Sequence, residues 1–193
     1  MSEANHKRIR EAIETHRAMT AAFEGSGVAT VVAMAEMIGR SLREGGTLYL
    51  CGNGGSAADA QHIAGEFVGR FRVERRALPA VALSTDTSVL TCIGNDYDYQ
   101  SVFSRQVEAL VRPGDILWAF STSGNSPNVL RAAEAARHKS AHVLAFTGRP
   151  NSKLETMADL CLCAEAAVTA RSQEIHQLAY HIICDLVEQE CCR

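Results

Sequence analysis

The sequence lacks the features that take a protein into or across a membrane. It has no uninterrupted apolar run near the roughly 20 residues that a helix needs to span a bilayer. Its N-terminal stretch, MSEANHKRIREAIETHRAM, is polar and has no apolar core of the kind that a secretory signal carries. The seven cysteines are an odd number, which fits reduced thiols better than a disulfide framework. We therefore expect a cytoplasmic protein with no membrane partner.

The sequence also lacks an excess of basic charge. The formal net charge is −3, and no long basic run occurs. The segment RFRVERR (residues 70–76) is a short cluster interrupted by Glu74, which indicates a solvated loop, with a subunit contact or an anion-steering patch as the functional alternative. Charge therefore does not favour nucleic-acid binding. The motifs G-x-x-x-x-G-K-[S/T] and G-x-G-x-x-G are absent too, which lowers the expectation of a nucleotide ligand.

Five short apolar runs indicate a parallel α/β sheet. Each is followed by small polar residues and usually by a pattern typical of a helix. The runs are TLYLC, AVAL, DILWAF, HVLAF and DLCLC. A chain of 193 residues without a Pro/Gly/Ser-rich linker or a convincing repeat is most simply one domain, residues 1–193.

Residues 1–44 indicate two helices ahead of the first strand, separated by Gly25 and Gly27. The second of these, VATVVAMAEMIGRSL, is apolar on several sides, and such a helix is usually buried against a partner. We expect this pair to pack on the α/β core and at an oligomer interface.

Three polar loops follow the first three strands. Because ligands of a parallel sheet bind beyond the carboxyl ends of the strands, GNGGS, STDTS and STSGNS should converge on one face. In GNGGS the glycines let backbone amides approach an anion, and a helix that starts near Ser56, a plausible N-cap, adds unpaired amides. Hydroxyls and amides without Lys or Arg suit the phosphate monoester of a sugar. The hydroxyls of the third loop are those of Ser121, Thr122, Ser123 and Ser126.

Two helices carry candidate catalytic residues. His62 and Glu66 are four residues apart on the helix after GNGGS, and Asp59 lies on nearly the same face. Such a set is more often a surface ion pair, but its position below a phosphate cradle favours a site that binds a metal or moves a proton. The closing helix, ARSQEIHQLAYHIICDLVEQE, adds Gln173 and His181. Its predicted buried stripe, with His181 beside it, consists of Ile175, Leu178, Ile182 and Leu186.

Taken together, these residues resemble the phosphoheptose isomerases of the sugar isomerase (SIS) domain family. The resemblance rests on CGNGGSAADAQHIAGEF, ALSTDTSVLTCIGNDY, FSRQVEAL, STSGNSPNVL and the spacing QEIH…H, and it covers about residues 5–190. The combination is specific, whereas STSGNS alone marks only a sugar-phosphate-binding domain. Ala170 stands where some members carry an acidic residue, and Ser172 where an apolar residue is commoner.

The resemblance implies a flavodoxin-like three-layer α/β sandwich with a five-stranded parallel sheet, assembled as a homotetramer. It implies conversion of sedoheptulose 7-phosphate to D-glycero-D-manno-heptose 7-phosphate, the first step toward the ADP- and GDP-heptoses of lipopolysaccharide cores and some other glycans. It also implies one zinc ion per subunit, with Glu66 and His181 as the acid/base pair. The implied zinc ligands are His62, Glu66, Gln173 and His181. The implied substrate contacts are Asn53, Gly54, Gly55, Ser56, Glu66, Asn95, Asp96, Ser121, Thr122, Ser123, Ser126 and Gln173.

Helix geometry constrains that ligand set. Gln173 and His181 are eight residues apart, roughly 12 Å along an ideal helix and about 80° around it. One ion can bind both from one helix only if the side chains converge strongly; alternatively, different subunits contribute them. We favour a site at a subunit interface. In such a site Glu66 fits the base that abstracts a carbon proton, and His181 fits the complementary acid.

Three other functions compete with this interpretation. A noncatalytic SIS-domain protein, such as the bacterial replication-initiation factor that resembles this family, is expected to lack the acid/base residues, and here Glu66 and His181 are both present. An isomerase of another sugar phosphate stays open, because the loops recognise phosphate better than chain length. A purely structural oligomer leaves the three polar loops unexplained.

Overall fold

The computed structural model describes residues 2–191, so Met1, Cys192 and Arg193 lie outside it, as do both ends of the predicted domain 1–193. The strands are β1 (Leu48–Cys51), β2 (Ala80–Ala82), β3 (Ile116–Ser121), β4 (His142–Thr147) and β5 (Leu160–Cys163). The α-helices are α1 (Glu3–Ser26), α2 (Val28–Arg43), α3 (Gly55–Val68), α4 (Thr87–Asp96), α5 (Ser104–Leu110), α6 (Pro127–His138), α7 (Lys153–Met157) and α8 (Thr169–Cys191). A short 3-10 helix covers Tyr99–Ser101.

The strands form one parallel sheet in the order β2-β1-β3-β4-β5. Each of the apolar runs in the sequence corresponds to one of these strands, with β3 and β4 extending one residue beyond their runs, so the predicted sheet is confirmed. Strand β3 lies at its centre, between β1 and β4, and every residue of β3 is buried. Because β2, β1 and β3 are parallel neighbours, their carboxyl ends lie along one edge of the sheet, where the three polar loops begin.

The two faces of the sheet belong to two separate cores. On one face, Leu50, Trp118 and Leu144 pack with buried side chains of α2, α3 and α8. On the other face, Tyr49 and Leu117 pack with buried side chains of α4, α5, α6 and α7. Helices therefore cover both faces of a parallel sheet, as such sheets require. The predicted three-layer α/β sandwich is confirmed.

The two N-terminal helices meet at Gly27 with a bend of 67°. Helix α2 buries Met34, Ile38 and other apolar side chains in the core that it shares with α8, whereas no residue of α1 is fully buried. The prediction of two helices is confirmed, and contact of this pair with another subunit stays a prediction. Taken singly, no described helix has the length and apolar composition to cross a membrane; α1 and α2 meet those criteria only when counted together.

The buried side of α8 differs from the predicted stripe. Ile175 is buried as expected, but Leu178 and Leu186 are only partly buried and Ile182 is 37% exposed. The helix packs against the sheet, α2 and α3 at once, so its buried sector is wide and includes polar and aromatic side chains that an apolar pattern does not count. The buried residues are Ser172, Ile175, His176, Ala179, Tyr180, Ile183, Cys184, Val187 and Glu188.

His176 is a buried, uncharged member of that sector. Its Nε2 donates to the Thr147 carbonyl at 2.9 Å, and its ring packs on Phe146. Its Nδ1 is buried without a hydrogen-bond partner among the described residues. Burial lowers the pKa of His176 to about 4, and the hydrogen bond to Thr147 offsets this only in part.

We expect acid to destabilise the protein partly through His176. Its pKa is about 6.5 in an unfolded chain and about 4 in the folded one. Between these values the unfolded state binds more protons, so the free energy of unfolding falls as the pH falls, by roughly 3 kcal/mol from pH 7 to pH 4 for this group. Urea unfolding at both pH values should show a smaller loss for His176→Phe than for the wild type. Equal losses would contradict this role of His176.

Candidate active site

The first cradle is the turn that joins β1 to α3. Helix α3 begins at Gly55, and Gly54 occupies the N-cap position with a φ of 55°, in the left-handed region that favours glycine. The prediction that Ser56 caps this helix is wrong. The glycine turn starts the helix earlier, so that Ser56 is buried in the first turn of α3. The Ser56 N–H donates to the Asn53 carbonyl at 3.1 Å, and the Ala57 N–H donates to the Gly54 carbonyl. The amides ahead of them, those of Gly54 and Gly55, are therefore the ones that suit an anion.

The second cradle is a group of three hydroxyls at the end of β3. Ser121 Oγ lies 3.3 Å from Ser123 Oγ and 3.0 Å from Ser126 Oγ. Ser126 is the N-cap of α6, and Gly124 turns the chain with a φ of 63°. Thr122 lies in the same turn. The structure therefore brings three of the four predicted hydroxyls into direct contact, next to the start of a second helix.

Asn53 and Asn128 join the two cradles. Each side-chain amide donates to the oxygen of the other, at 2.9 and 2.8 Å. Asn128 is buried in the first turn of α6, and the hydroxyl of Tyr99 also donates to Asn53 at 3.3 Å. Sequence reasoning identified Asn53 but missed Asn128 and Tyr99. The available signal for Asn128 was its place in STSGNSPNVL, directly after the serine turn.

Asn95 and Asp96 lie at the end of α4, where both side chains are exposed. Asn95 donates to Asp96 at 2.8 Å, so within the described range these two residues contact each other rather than a cradle residue. In the STDTS loop ahead of α4, Asp86 caps the helix by accepting from the Val89 N–H at 3.0 Å. The Asp86 carboxylate therefore stabilises the first turn of α4.

Helices α3 and α8 together form a group able to bind a metal, which we call the metal-capable group: His62, Glu66 and His181. His62 Nε2 lies 3.0 Å from Glu66 Oε1 and 3.5 Å from His181 Nε2. One ligand atom from each residue lies within 4.8 Å of the other two. Two imidazole nitrogens and a carboxylate oxygen are donors that zinc takes in sites with three protein ligands.

Two aromatic side chains orient these histidines. The Tyr180 hydroxyl lies 3.2 Å from His62 Nδ1, so that His62 presents Nε2 to Glu66 and His181. Phe71 stacks on His181, with ring centroids 5.8 Å apart and planes inclined by 26°. A partner on the second ring nitrogen is usual for a metal-binding histidine, because it fixes the tautomer and the ring orientation. The residues present therefore fit a zinc ion, and sequence reasoning missed both aromatic side chains.

Burial shifts the pKa values of two groups at this site. Burial lowers the pKa of His181, the neighbouring His62 lowers it further, and Glu66 opposes both effects. Burial raises the pKa of Asp59 to about 6 against the opposing effects of His62 and Tyr180. One carboxylate oxygen of Asp59 is buried without a hydrogen-bond partner among the described residues. The lowered pKa of His181 favours its uncharged imidazole, the form that can bind a metal.

Gln173 lies against the first cradle, as the fifth residue of α8. A Cβ added to Gly55 would come within 2.6 Å of Gln173 Nε2 and 3.0 Å of its Oε1. His181 lies eight residues further along α8, which is about 12 Å on an ideal helix. Within one chain, the structure thus places Gln173 with the first cradle and the metal-capable group two turns away.

The chain matches known proteins over most of its length. The model of the SIS domain family matches residues 13–148. A phosphoheptose isomerase from Roseiflexus sp. (strain RS-1) is 55% identical over 159 residues, which are 82% of this chain and 81% of that protein.

Solved structures show the same likeness. The phosphoheptose isomerase of Neisseria gonorrhoeae is 44% identical and superimposes with a TM-score of 0.89, over 94% of this chain and 98% of that one. A phosphoheptose isomerase of Francisella tularensis is 32% identical with a TM-score of 0.93, over 98% of this chain and 100% of that one. The likeness therefore includes both the sequence and the arrangement of the elements that carry the cradles.

We expect Gly55 and Gln173 to be energetically coupled. An alanine at 55 displaces the Gln173 side chain, whereas a Cβ at Gly65, on the same helix, meets nothing within 4 Å. In denaturant unfolding, Gly65→Ala should stabilise the protein by about 0.5–1 kcal/mol. Gly55→Ala should stabilise the protein by less than this. In a Gln173→Ala background the same glycine change should give the full stabilisation, so the effects at 55 and 173 should depart from additivity by at least about 0.5 kcal/mol. Strict additivity of the changes at 55 and 173 would contradict the placement of Gln173.

Proposed function

Because the chain belongs to the SIS domain family, and its relatives there are phosphoheptose isomerases, we propose that it converts sedoheptulose 7-phosphate to D-glycero-D-manno-heptose 7-phosphate. As an aldose–ketose isomerase it moves a proton between C1 and C2 of its substrate. The metal-capable group is the observation that carries the proposal, since it joins a carboxylate to two imidazoles within 4.8 Å.

The proton transfers are assigned to two members of that group. Glu66 takes the proton from carbon and returns it to the neighbouring carbon, because a carboxylate is a base that works at neutral pH. His181 exchanges a proton with the sugar oxygens, and the two roles reverse in the opposite direction. A zinc ion bound by His62, Glu66 and His181 would supply positive charge that stabilises the oxygen on which negative charge develops.

The two cradles are assigned to the phosphate end of the substrate. Their amides and hydroxyls are uncharged donors with fixed directions, which suits a phosphate monoester. Asn53, held by Asn128, stands between them and can present its remaining donor to the sugar. The proposed substrate contacts are Asn53, Gly54, Gly55, Ser56, Glu66, Asn95, Asp96, Ser121, Thr122, Ser123, Ser126 and Gln173.

The distance along α3 between the first cradle and the metal-capable group favours a site shared between subunits. Glu66 is eleven residues along α3 from Gly55, about 16 Å of helix, and an extended heptose phosphate is shorter than this. We therefore assign the cradles and the metal-capable group of one site to different subunits of a homotetramer. Gln173 lies beside the cradle, so a neighbouring subunit supplies it as the fourth zinc ligand, with one zinc ion per subunit. The exposed Ile9 and Ile13 of α1 offer apolar surface for such a contact.

The biosynthetic route and the location of the protein stay predictions. The reaction would begin a route to the ADP- and GDP-heptoses of lipopolysaccharide, as the resemblance implies. The odd number of cysteines fits reduced thiols and favours the cytoplasm as its location.

The isomerase assignment is tested by an NMR time course with sedoheptulose 7-phosphate, with added zinc and with a chelator. We expect growth of an aldoheptose anomeric signal with zinc and its loss with the chelator. Glu66→Gln and His181→Gln should slow the reaction at least about 100-fold. His138→Gln and Glu134→Gln, both exposed on α6, are matched controls that should leave the rate unchanged. A folded wild type that binds the sugar phosphate without forming the aldose would refute the proposal.

We also expect Tyr180 to contribute to zinc binding. Tyr180→Phe removes the hydroxyl at His62 Nδ1, and loss of such a partner typically weakens metal binding about 10–100-fold. Tyr97→Phe, a change at an exposed tyrosine, is the control and should keep the wild-type affinity. Competition with a chromophoric chelator measures the zinc affinity of each variant. The role of Tyr180 is wrong if its variant binds zinc as tightly as the control.

A further inference from the structure

The segment 70–76, RFRVERR, is anchored in the protein interior at one residue. Arg70, Arg72, Glu74 and Arg76 are exposed, as expected for a solvated loop. The expectation is wrong for Arg75, whose side chain is only 4% exposed and pairs with the equally buried Glu188 at 3.1 Å. We call this stretch the arginine segment. Its buried charge pair calls for a physical reason, because burying two charges is costly and often adds little net stability.

The Arg75 guanidinium binds the carboxyl end of α3. It donates to the carbonyls of Glu66 at 2.7 Å, Phe67 at 2.9 Å and Gly69 at 3.2 Å. The last carbonyls of a helix have no partner within it, so a cation with several donors is well matched to them. One of these carbonyls belongs to Glu66 itself. Arg75 therefore holds the turn of α3 that carries the proposed base.

Glu188 holds the rest of the segment on α8. Its carboxylate accepts the backbone N–H groups of Phe71 at 2.9 Å, Arg72 at 2.7 Å and Val73 at 3.0 Å. Burial acts to raise the pKa of Glu188, but these three hydrogen bonds and the charge of Arg75 outweigh it and lower the pKa below the usual range. Glu188 is therefore ionised at neutral pH. It fixes the backbone of a segment that has no helix or strand of its own.

This arrangement spans the two halves of the metal-capable group. His62 and Glu66 lie on α3, which Arg75 binds at its end, and His181 lies two turns before Glu188 on α8. The first residue that Glu188 fixes is Phe71, whose ring stacks on His181. The same few contacts thus set the position of α3 relative to α8 and the ring plane of one histidine.

We propose that Arg75, Glu188 and Phe71 are positioning residues, which hold Glu66 and His181 at the separation that metal binding and proton transfer require. This inference rests on the proposed function, since it concerns the same metal-capable group. The group takes a divalent cation with imidazole and carboxylate ligands, for which zinc is the probe. The cradles lie at the other end of α3, so these residues act on the metal and on the chemical step rather than on phosphate binding.

The test compares zinc affinity, kcat and KM in variants of the whole chain. Arg75→Met and Phe71→Leu should each weaken zinc binding about 10-fold or more, the range typical for loss of a residue that orients a metal ligand. Both should lower kcat and leave KM for the sugar phosphate within about threefold of the wild type. Phe71→Tyr keeps the stacked ring and should restore zinc affinity. Arg72→Met is the matched control, because that arginine side chain is 68% exposed and, among the described residues, pairs only with Asp185, at 3.4 Å, while its backbone N–H alone contacts Glu188.

Each outcome decides the proposal. Circular dichroism first shows which variants fold; if Arg75→Met does not, the Phe71→Leu and Phe71→Tyr pair decides, since neither change touches the buried charge pair. Folded Phe71→Leu and Arg75→Met variants with wild-type zinc affinity and kcat would overturn the positioning role while the isomerase proposal stands. A wild type that neither binds zinc nor forms the aldose would overturn the proposed function, and this inference with it.

Discussion

The packing of α3 against α8 is the contact on which the candidate site depends. Only where these helices meet do His62, Glu66 and His181 place a ligand atom each within 4.8 Å of one another. Helix α3 is set at its start by the glycine turn after β1 and at its end by the Arg75 guanidinium. Helix α8 is set by a wide buried sector that packs on the sheet and on α2. A small shift of either helix would change the distances between the imidazoles and weaken metal binding, since a metal tolerates little change in the distances to its ligands.

The site combines two kinds of chemistry at opposite ends of α3. At the start of the helix, amides and serine hydroxyls offer directional donors without formal charge, joined by the reciprocal amide pair of Asn53 and Asn128. Toward the other end, imidazoles and a carboxylate offer metal ligands and acid/base groups. This division matches a substrate with a phosphate at one end and a carbonyl at the other. The length of α3 between the two ends is the physical reason for assigning one site to two subunits.

Local patterns were enough to predict the sheet and most of the candidate site. The five apolar runs and the turns between them reflect short-range rules, and so does the spacing of His62 and Glu66 on one helix face. Ser56 was misplaced because the left-handed Gly54 starts the helix earlier than a serine cap would. The buried stripe of α8 was misplaced because packing on three neighbours widens the buried sector beyond its apolar residues.

Contacts between distant parts of the chain were not predictable in this way. Tyr180 and His62 are 118 residues apart, and Glu188 lies 113 residues from Arg75. No period or motif links such pairs, so Arg75 looked like any arginine of a solvated loop. The roles proposed for Tyr180, Phe71 and Glu188 rest on the tertiary structure alone.

The proposed chemistry depends on one zinc ion bound by His62, Glu66 and His181. Anomalous diffraction at the zinc absorption edge, from crystals of the zinc-loaded protein, tests it most directly. We expect a single peak per subunit about 2.0–2.2 Å from His62 Nε2, His181 Nε2 and a Glu66 oxygen, with Gln173 of a neighbouring subunit beside it. A peak bound by other residues, or no peak at this group in the zinc-loaded crystals, would contradict it.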